Sequence, residues 1–119
     1  MKRIIIALSL MATLALTGLG LAQTEPDYAK HVREARQHVT LAVTEGEKGD
    51  AEALVQHART GLDHVGMAQK EKSLPDLEKA AESLQDAISQ GQAGNTDKAT
   101  ERAKESVEYL DAVLSGLGG

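Results

Sequence analysis

Four histidines, the only ones in the chain, fall in two matching windows, His31-Val-Arg-Glu-Ala-Arg-Gln-His38 and His57-Ala-Arg-Thr-Gly-Leu-Asp-His64. The spacing within each window is seven residues. On an α-helix seven residues are two turns, about 10.5 Å of rise, so both members of a pair cannot ligate one ion directly. If the windows lie on two antiparallel helices, residues whose numbers add to the same value stand at the same height. His31 with His64 and His38 with His57 both add to 95, which makes two imidazole rungs, and Glu45 with Asp50 forms a third rung of carboxylates.

Glu34 lies three residues after His31 and four before His38, on the same stripe, where it could serve either rung. Imidazole with carboxylate suits Cu(II), Ni(II) or Zn(II), and Cu(II) leads on intrinsic affinity. Met67, three residues after His64, offers a thioether, although a lone methionine in a helix is more often packing. The candidate metal ligands are therefore His31, Glu34, His38, His57 and His64. A plainer reading is that the histidines flank a bundle core and repeat only because the heptad repeats. At about 100° per residue the two stripes sit on the same side of their apolar faces, and the handedness of the bundle decides whether they converge.

These residues need helices to hold them, and the chain is rich in helix formers. From Thr24 onward Ala, Leu, Glu, Lys and Gln dominate, with no alternating run of strand formers. Glycines at 46 and 49 and at 91 and 94, and the segment Ser73-Leu74-Pro75-Asp76, divide the chain into helices at about 25–45, 50–70, 75–90 and 95–114. Thr24 with Pro26 and Asp27, Asp50, Ser73 with Pro75, and Asn95 with Thr96 and Asp97 provide start signals. Gly116 to Gly119 is expected to fray.

The apolar faces are Val32, Ala35, Val39, Ala42 and Val43; Ala51, Leu54, Ala58, Leu62 and Val65; Ala80, Ala81, Leu84, Ala87 and Ile88; and Ala99, Ala103, Val107 and Leu110. Short connections make consecutive helices antiparallel neighbours. The fold class is all-α, an up-down four-helix bundle. An internal offset of 45 residues lays Gly46-Glu-Lys-Gly49 on Gly91-Gln-Ala-Gly94 and Ala58-Arg59 on Ala103-Lys104, so the bundle comprises two similar hairpins, about 25–70 and 75–114.

Ahead of the bundle, Lys2 and Arg3 precede a run from Ile4 to Leu21 that carries no charge, with small residues Gly20 and Ala22 at the third and first positions before the expected cut. This is the layout of a secretory signal, expected to be cleaved near Ala22 to leave residues 23–119 in the periplasm without stable membrane insertion. An uncleaved anchor is the alternative, because the apolar run is near the lower length limit for a membrane span. No cysteine occurs, which removes disulfides, thiolate metal sites, covalent c-type haem and a lipid-modified N-terminus.

Taking the two basic residues of the leader from a net charge of −5 leaves −7. Such a balance argues against nucleic acid as a partner and suits attraction of cations. With no Trp or Phe and only Tyr28 and Tyr109, base-stacking platforms and aromatic cages are also missing. No Ser/His/Asp arrangement, phosphate-cradling loop or His-Glu-x-x-His motif suggests an enzyme. A b-type haem site is poorly served by an alanine-rich core without aromatics.

The His31–His38 window, the run Gln56-His57-Ala58-Arg59, the run Leu84-Gln-Asp-Ala-Ile88 leading to Gly91, and two like hairpins after a signal resemble the small metal-binding protein family. The resemblance covers about Lys30 to Leu110. It implies a periplasmic, histidine-rich four-helix bundle that sequesters divalent metals, copper prominently. Where the family pattern has further histidines, this chain has Glu45 and Asp50, then Ser83, Gln90, Asn95, Arg102 and Tyr109. The 45-residue offset pairs His38 with Ser83, His57 with Arg102 and His64 with Tyr109, so binding is expected in the first hairpin alone. The competing function is a structural or protein-interaction bundle of the envelope, descended from a metal binder, with no protein partner identifiable.

Overall fold

The computed structural model describes residues 25–118, and the expected leader at residues 1–22 lies outside them. Four helices follow in order: α1 Asp27–Glu47, α2 Ala51–Glu71, α3 Pro75–Gln92 and α4 Thr96–Gly118. They close a ring in which each helix packs on its two neighbours, with α1 on α2 and α4, and α3 on α2 and α4. This is the expected up-down bundle of two hairpins.

Both hairpins turn by the same device. The N–H of Asp50 donates to the Glu45 carbonyl at 2.9 Å and that of Gly49 to Gly46 at 2.9 Å; in the second hairpin Asn95 donates to Gln90 at 2.8 Å and Gly94 to Gly91 at 3.1 Å. Gly49 and Gly94 take φ of 87° and 86°, the left-handed conformation that ends a helix in a Schellman motif. α1 consequently runs two residues beyond the expected end, because the closing carbonyls sit at Glu45 and Gly46. Asp50 caps α2 by accepting from the Ala53 N–H at 3.0 Å, as its position suggested. Of the other start signals, Pro75, Asp27 and Asp97 lie in first turns as expected, whereas α1 and α3 begin after Pro26 and Leu74 with no side-chain cap and the Asn95 side chain donates to Gln90 at 2.9 Å.

The core is aliphatic, with Leu54, Leu77, Leu84, Leu110, Val32, Val39 and Val65 fully buried among alanines. Each such leucine contributes about 1.5–3 kcal/mol by leaving water. Most expected core positions are buried, whereas Val43, Ala51, Leu62, Ala81, Ile88 and Val107 are half-buried at the edge. Ala29, Val55, Ala68, Leu77 and Val113 are buried as well, extending the apolar faces toward the helix ends.

The expected frayed tail is corrected in part: α4 continues through Gly116 to Gly118. Val113 is buried and Leu114 packs against the core. That burial offsets the cost of glycine in a helix, about 1 kcal/mol.

Small residues set the seams. A Cβ on Gly61 would come within 2.6 Å of the Val39 side chain and 3.4 Å of the Ala35 carbonyl. At the equivalent position 45 residues on, the buried Ser106 hydroxyl donates to the Ala80 carbonyl at 3.1 Å. The repeat therefore extends to the contact that brings each pair of helices together, and in the first hairpin it brings α1 and α2 close where the histidines lie.

Candidate metal centre

All four imidazoles come together along one side of the α1–α2 seam. His31 and His64 have ring centroids 5.9 Å apart, and His38 and His57 have theirs 6.2 Å apart, so both rungs form. His38 also stands 5.6 Å from His64 with the ring planes 7° apart, which joins the rungs into one ladder ordered His31, His64, His38, His57. The handedness of the bundle thus turns both stripes toward their shared groove. A metal–nitrogen bond of about 2.0–2.1 Å puts a ring centroid about 3.2 Å from the ion, so two rings on one ion stand roughly 4.5–6.4 Å apart. Every separation in the ladder lies in that range, which is also that of ring pairs stacked without an ion, about 4.5–7 Å.

Glu34 reaches the first rung. Its Oε1 is 3.2 Å from His64 Nδ1 and 3.7 Å from His31 Nδ1. One ligand atom from each of His31, Glu34 and His64 can be chosen so that all lie within 4.8 Å of one another. Ligands of a tetrahedral ion at 2.0 Å stand about 3.3 Å apart, so side-chain rotations of roughly an ångström would close the set. Glu34 is 54% exposed and has that freedom, whereas the His31 and His64 side chains are 26% and 20% exposed and are held by the helices.

The Nδ1 atoms of His31, His38 and His64 are buried and have no hydrogen-bond partner. The 3.2 Å approach of Glu34 to His64 does not satisfy that nitrogen, because the contact lies off the ring's hydrogen-bonding direction. Buried polar atoms are normally paired. Three unpaired imidazole nitrogens on one seam, beside a carboxylate, match the donor set of a borderline transition metal.

Other sequence candidates are placed elsewhere. At the third rung both carboxylates have other partners: Asp50 Oδ1 caps α2, and Glu45 Oε2 lies 3.4 Å from Lys48 Nζ. Met67 is exposed at 42%, on the solvent side of α2. A residue that the seven-residue spacing did not single out is Glu71, at the end of α2, whose Oε2 is 3.9 Å from His31 Nε2. Its distance from the His windows hid it, although it lies seven residues after His64 and so continues that stripe by two turns.

The second hairpin carries no histidine at the equivalent positions, and two of them are basic, Lys79 and Arg102. Arg102, which replaces His57 under the 45-residue offset, makes ion pairs of 2.5 Å with both Asp86 and Glu105. The hydrogen bond with Asp86 and then the charge of Glu105 hold its guanidinium above the usual value. Lys79 stands where Glu34 stands in the first hairpin, and its Nζ lies over the ring of Tyr109, the counterpart of His64, at 5.9 Å. Two cations stand there in place of a histidine and a carboxylate, Arg102 paired with Asp86 and Glu105 and Lys79 over the Tyr109 ring.

A search of curated proteins returned no match for this chain. The comparison with family models did: a histidine ladder in one of two like hairpins is accompanied by a match of residues 1–113 to the small metal-binding protein family, to which the chain belongs.

Proposed function

We propose that this protein binds and buffers a divalent transition metal in the periplasm through its first hairpin, with Cu(II) preferred over Ni(II) and Zn(II). The observation that carries the reading is the set of buried, unpartnered Nδ1 atoms of His31, His38 and His64 beside Glu34. His31, Glu34 and His64 provide the primary ligands, and His38 with His57 extends the ladder toward the hairpin turn. Copper is favoured because nitrogen and oxygen sites follow the affinity order that peaks at Cu(II). Export is supported by the basic start and uncharged apolar run before Ala22. The ion serves as cargo, and the reading includes no catalytic step.

The test is a Cu(II) titration of the protein beside a variant with His31, His38, His57 and His64 all replaced by Ala. One or two saturable sites that vanish in the variant are expected. Equal, weak uptake by both would replace this function with that of an interaction bundle.

A further inference from the structure

His31 has a carboxylate on each side. Its Nδ1 faces Glu34 Oε1 at 3.7 Å, with His64 Nδ1 close to the same oxygen, while its Nε2 faces Glu71 Oε2 at 3.9 Å. The in-plane directions of the two ring nitrogens diverge, so one ion cannot use both. Nδ1 is the buried, unpartnered atom that shares space with the other ligands. Nε2 is directed to the C-terminal end of α2.

We propose that Glu71 is a positioning residue for the metal centre: its carboxylate accepts the Nε2–H of His31 and holds the tautomer whose Nδ1 lone pair is directed at the ion. This rests on the metal reading above and adds a residue to it. A neutral imidazole carries one proton, and a proton fixed at Nε2 leaves Nδ1 free to ligate. Outer carboxylates do this for metal-bound histidines generally, and they raise ligand basicity. The present gap is about an ångström longer than a hydrogen bond, and Glu71, 40% exposed at the last position of its helix, has room to close it.

Two further observations fit this role. Among the described residues no Lys or Arg forms an ion pair with Glu71, and its neighbour Lys72 is directed over the Tyr28 ring, 5.9 Å from its centroid. In the second hairpin the counterparts of His31 and Glu71 are Asp76 and Gly116, so histidine and carboxylate are missing together.

The experiment is 15N NMR of the histidine side chains, without metal and with Zn(II) as a diamagnetic probe, on the protein and its Glu71→Ala and Glu71→Asp variants, with Zn(II) affinity measured alongside. In the zinc-loaded protein His31 is expected to ligate through Nδ1 and to keep a protected Nε2–H. Glu71→Ala should lower affinity about 10- to 100-fold at unchanged stoichiometry, and Glu71→Asp should recover most of it. Without metal, Glu71→Ala should shift His31 from the Nε2–H form toward a mixture.

Zinc bound at Nε2 would overturn the proposal, as would a Glu71→Ala variant whose affinity and His31 tautomer match the parent. A parent protein that takes up neither Cu(II) nor Zn(II) would overturn the proposed function instead. The metal-free tautomer then decides Glu71 by itself: an unchanged His31 in Glu71→Ala sinks the role.

Discussion

His38 lies nearly parallel to His64, with 7° between their ring planes and 5.6 Å between centroids, although the two belong to different rungs of the first hairpin. It is closer to His64 than to its own rung partner His57, at 6.2 Å. The two rungs are thereby joined by a ring contact.

The ligands should differ in importance. His31→Ala and His64→Ala should each weaken Cu(II) binding by at least about tenfold, some 1.4 kcal/mol, whereas His57→Ala at the end of the ladder should cost less. Glu34→Gln should behave like the first pair, since its Oε1 is the oxygen shared by both rings. Isothermal titration of the single variants gives the order, and a larger loss at His57 than at His64 would contradict it.

Loading should stabilise the hairpin without being required for folding. At a free metal concentration 100 times Kd the gain is about 2.7 kcal/mol, which raises the melting temperature by roughly 10–20 °C for a domain of this size. The variant with all four histidines replaced by Ala should fold without metal and show no such rise, because the core of Leu54, Leu77, Leu84 and Leu110 is complete without the ladder. Calorimetry with and without Cu(II) checks both halves.

The second hairpin should accept a transplanted site. Asp76→His, Lys79→Glu and Tyr109→His together place the His31, Glu34 and His64 residue types at the equivalent positions, and Lys79→Glu removes a cation from the seam. One additional saturable site is expected in the triple variant. An unchanged stoichiometry would show that the second seam does not reproduce the geometry of the first.

Two glycines three residues apart should fail for different reasons. A Cβ at Gly46 would stand 2.1 Å from Thr100 Oγ1 and 2.7 Å from Leu54 Cδ1, so Gly46→Ala is expected to cost about 1–3 kcal/mol through overpacking between α1 and α4. Thr100→Ala in the same chain should recover part of that cost. Gly49→Ala meets nothing within 4 Å but keeps φ near 87°, which costs about 1–2 kcal/mol and is not relieved by Thr100→Ala. Denaturant melts of the single and double variants separate the two.

The pairing of His31 with His64 and of His38 with His57 was legible in the sequence because helical rise alone fixes height along an antiparallel hairpin. Their convergence was not, since it depends on the hand of the bundle. The assignment of Glu34 to the first rung needed the side-chain direction as well as the stripe. Glu71 escaped because it lies two turns beyond the His57–His64 window, at a height that numbering does not pair with His31. Height alone did not reveal that Asp50 has a second use, since the unpaired N–H of Ala53 at the start of α2 captures its Oδ1. The length of α4 was underestimated at Gly116 because Val113 and Leu114 outweigh the local preference of glycine.

The turns at Gly49 and Gly94 close two hairpins in the same register, and each half supports the other through the shared core. Such a chain carries its scaffold in duplicate and its histidines once. Side chains at the edge of a seam can therefore differ between the halves, imidazoles on one and Arg102 with its carboxylates on the other, while one apolar core closes beneath both.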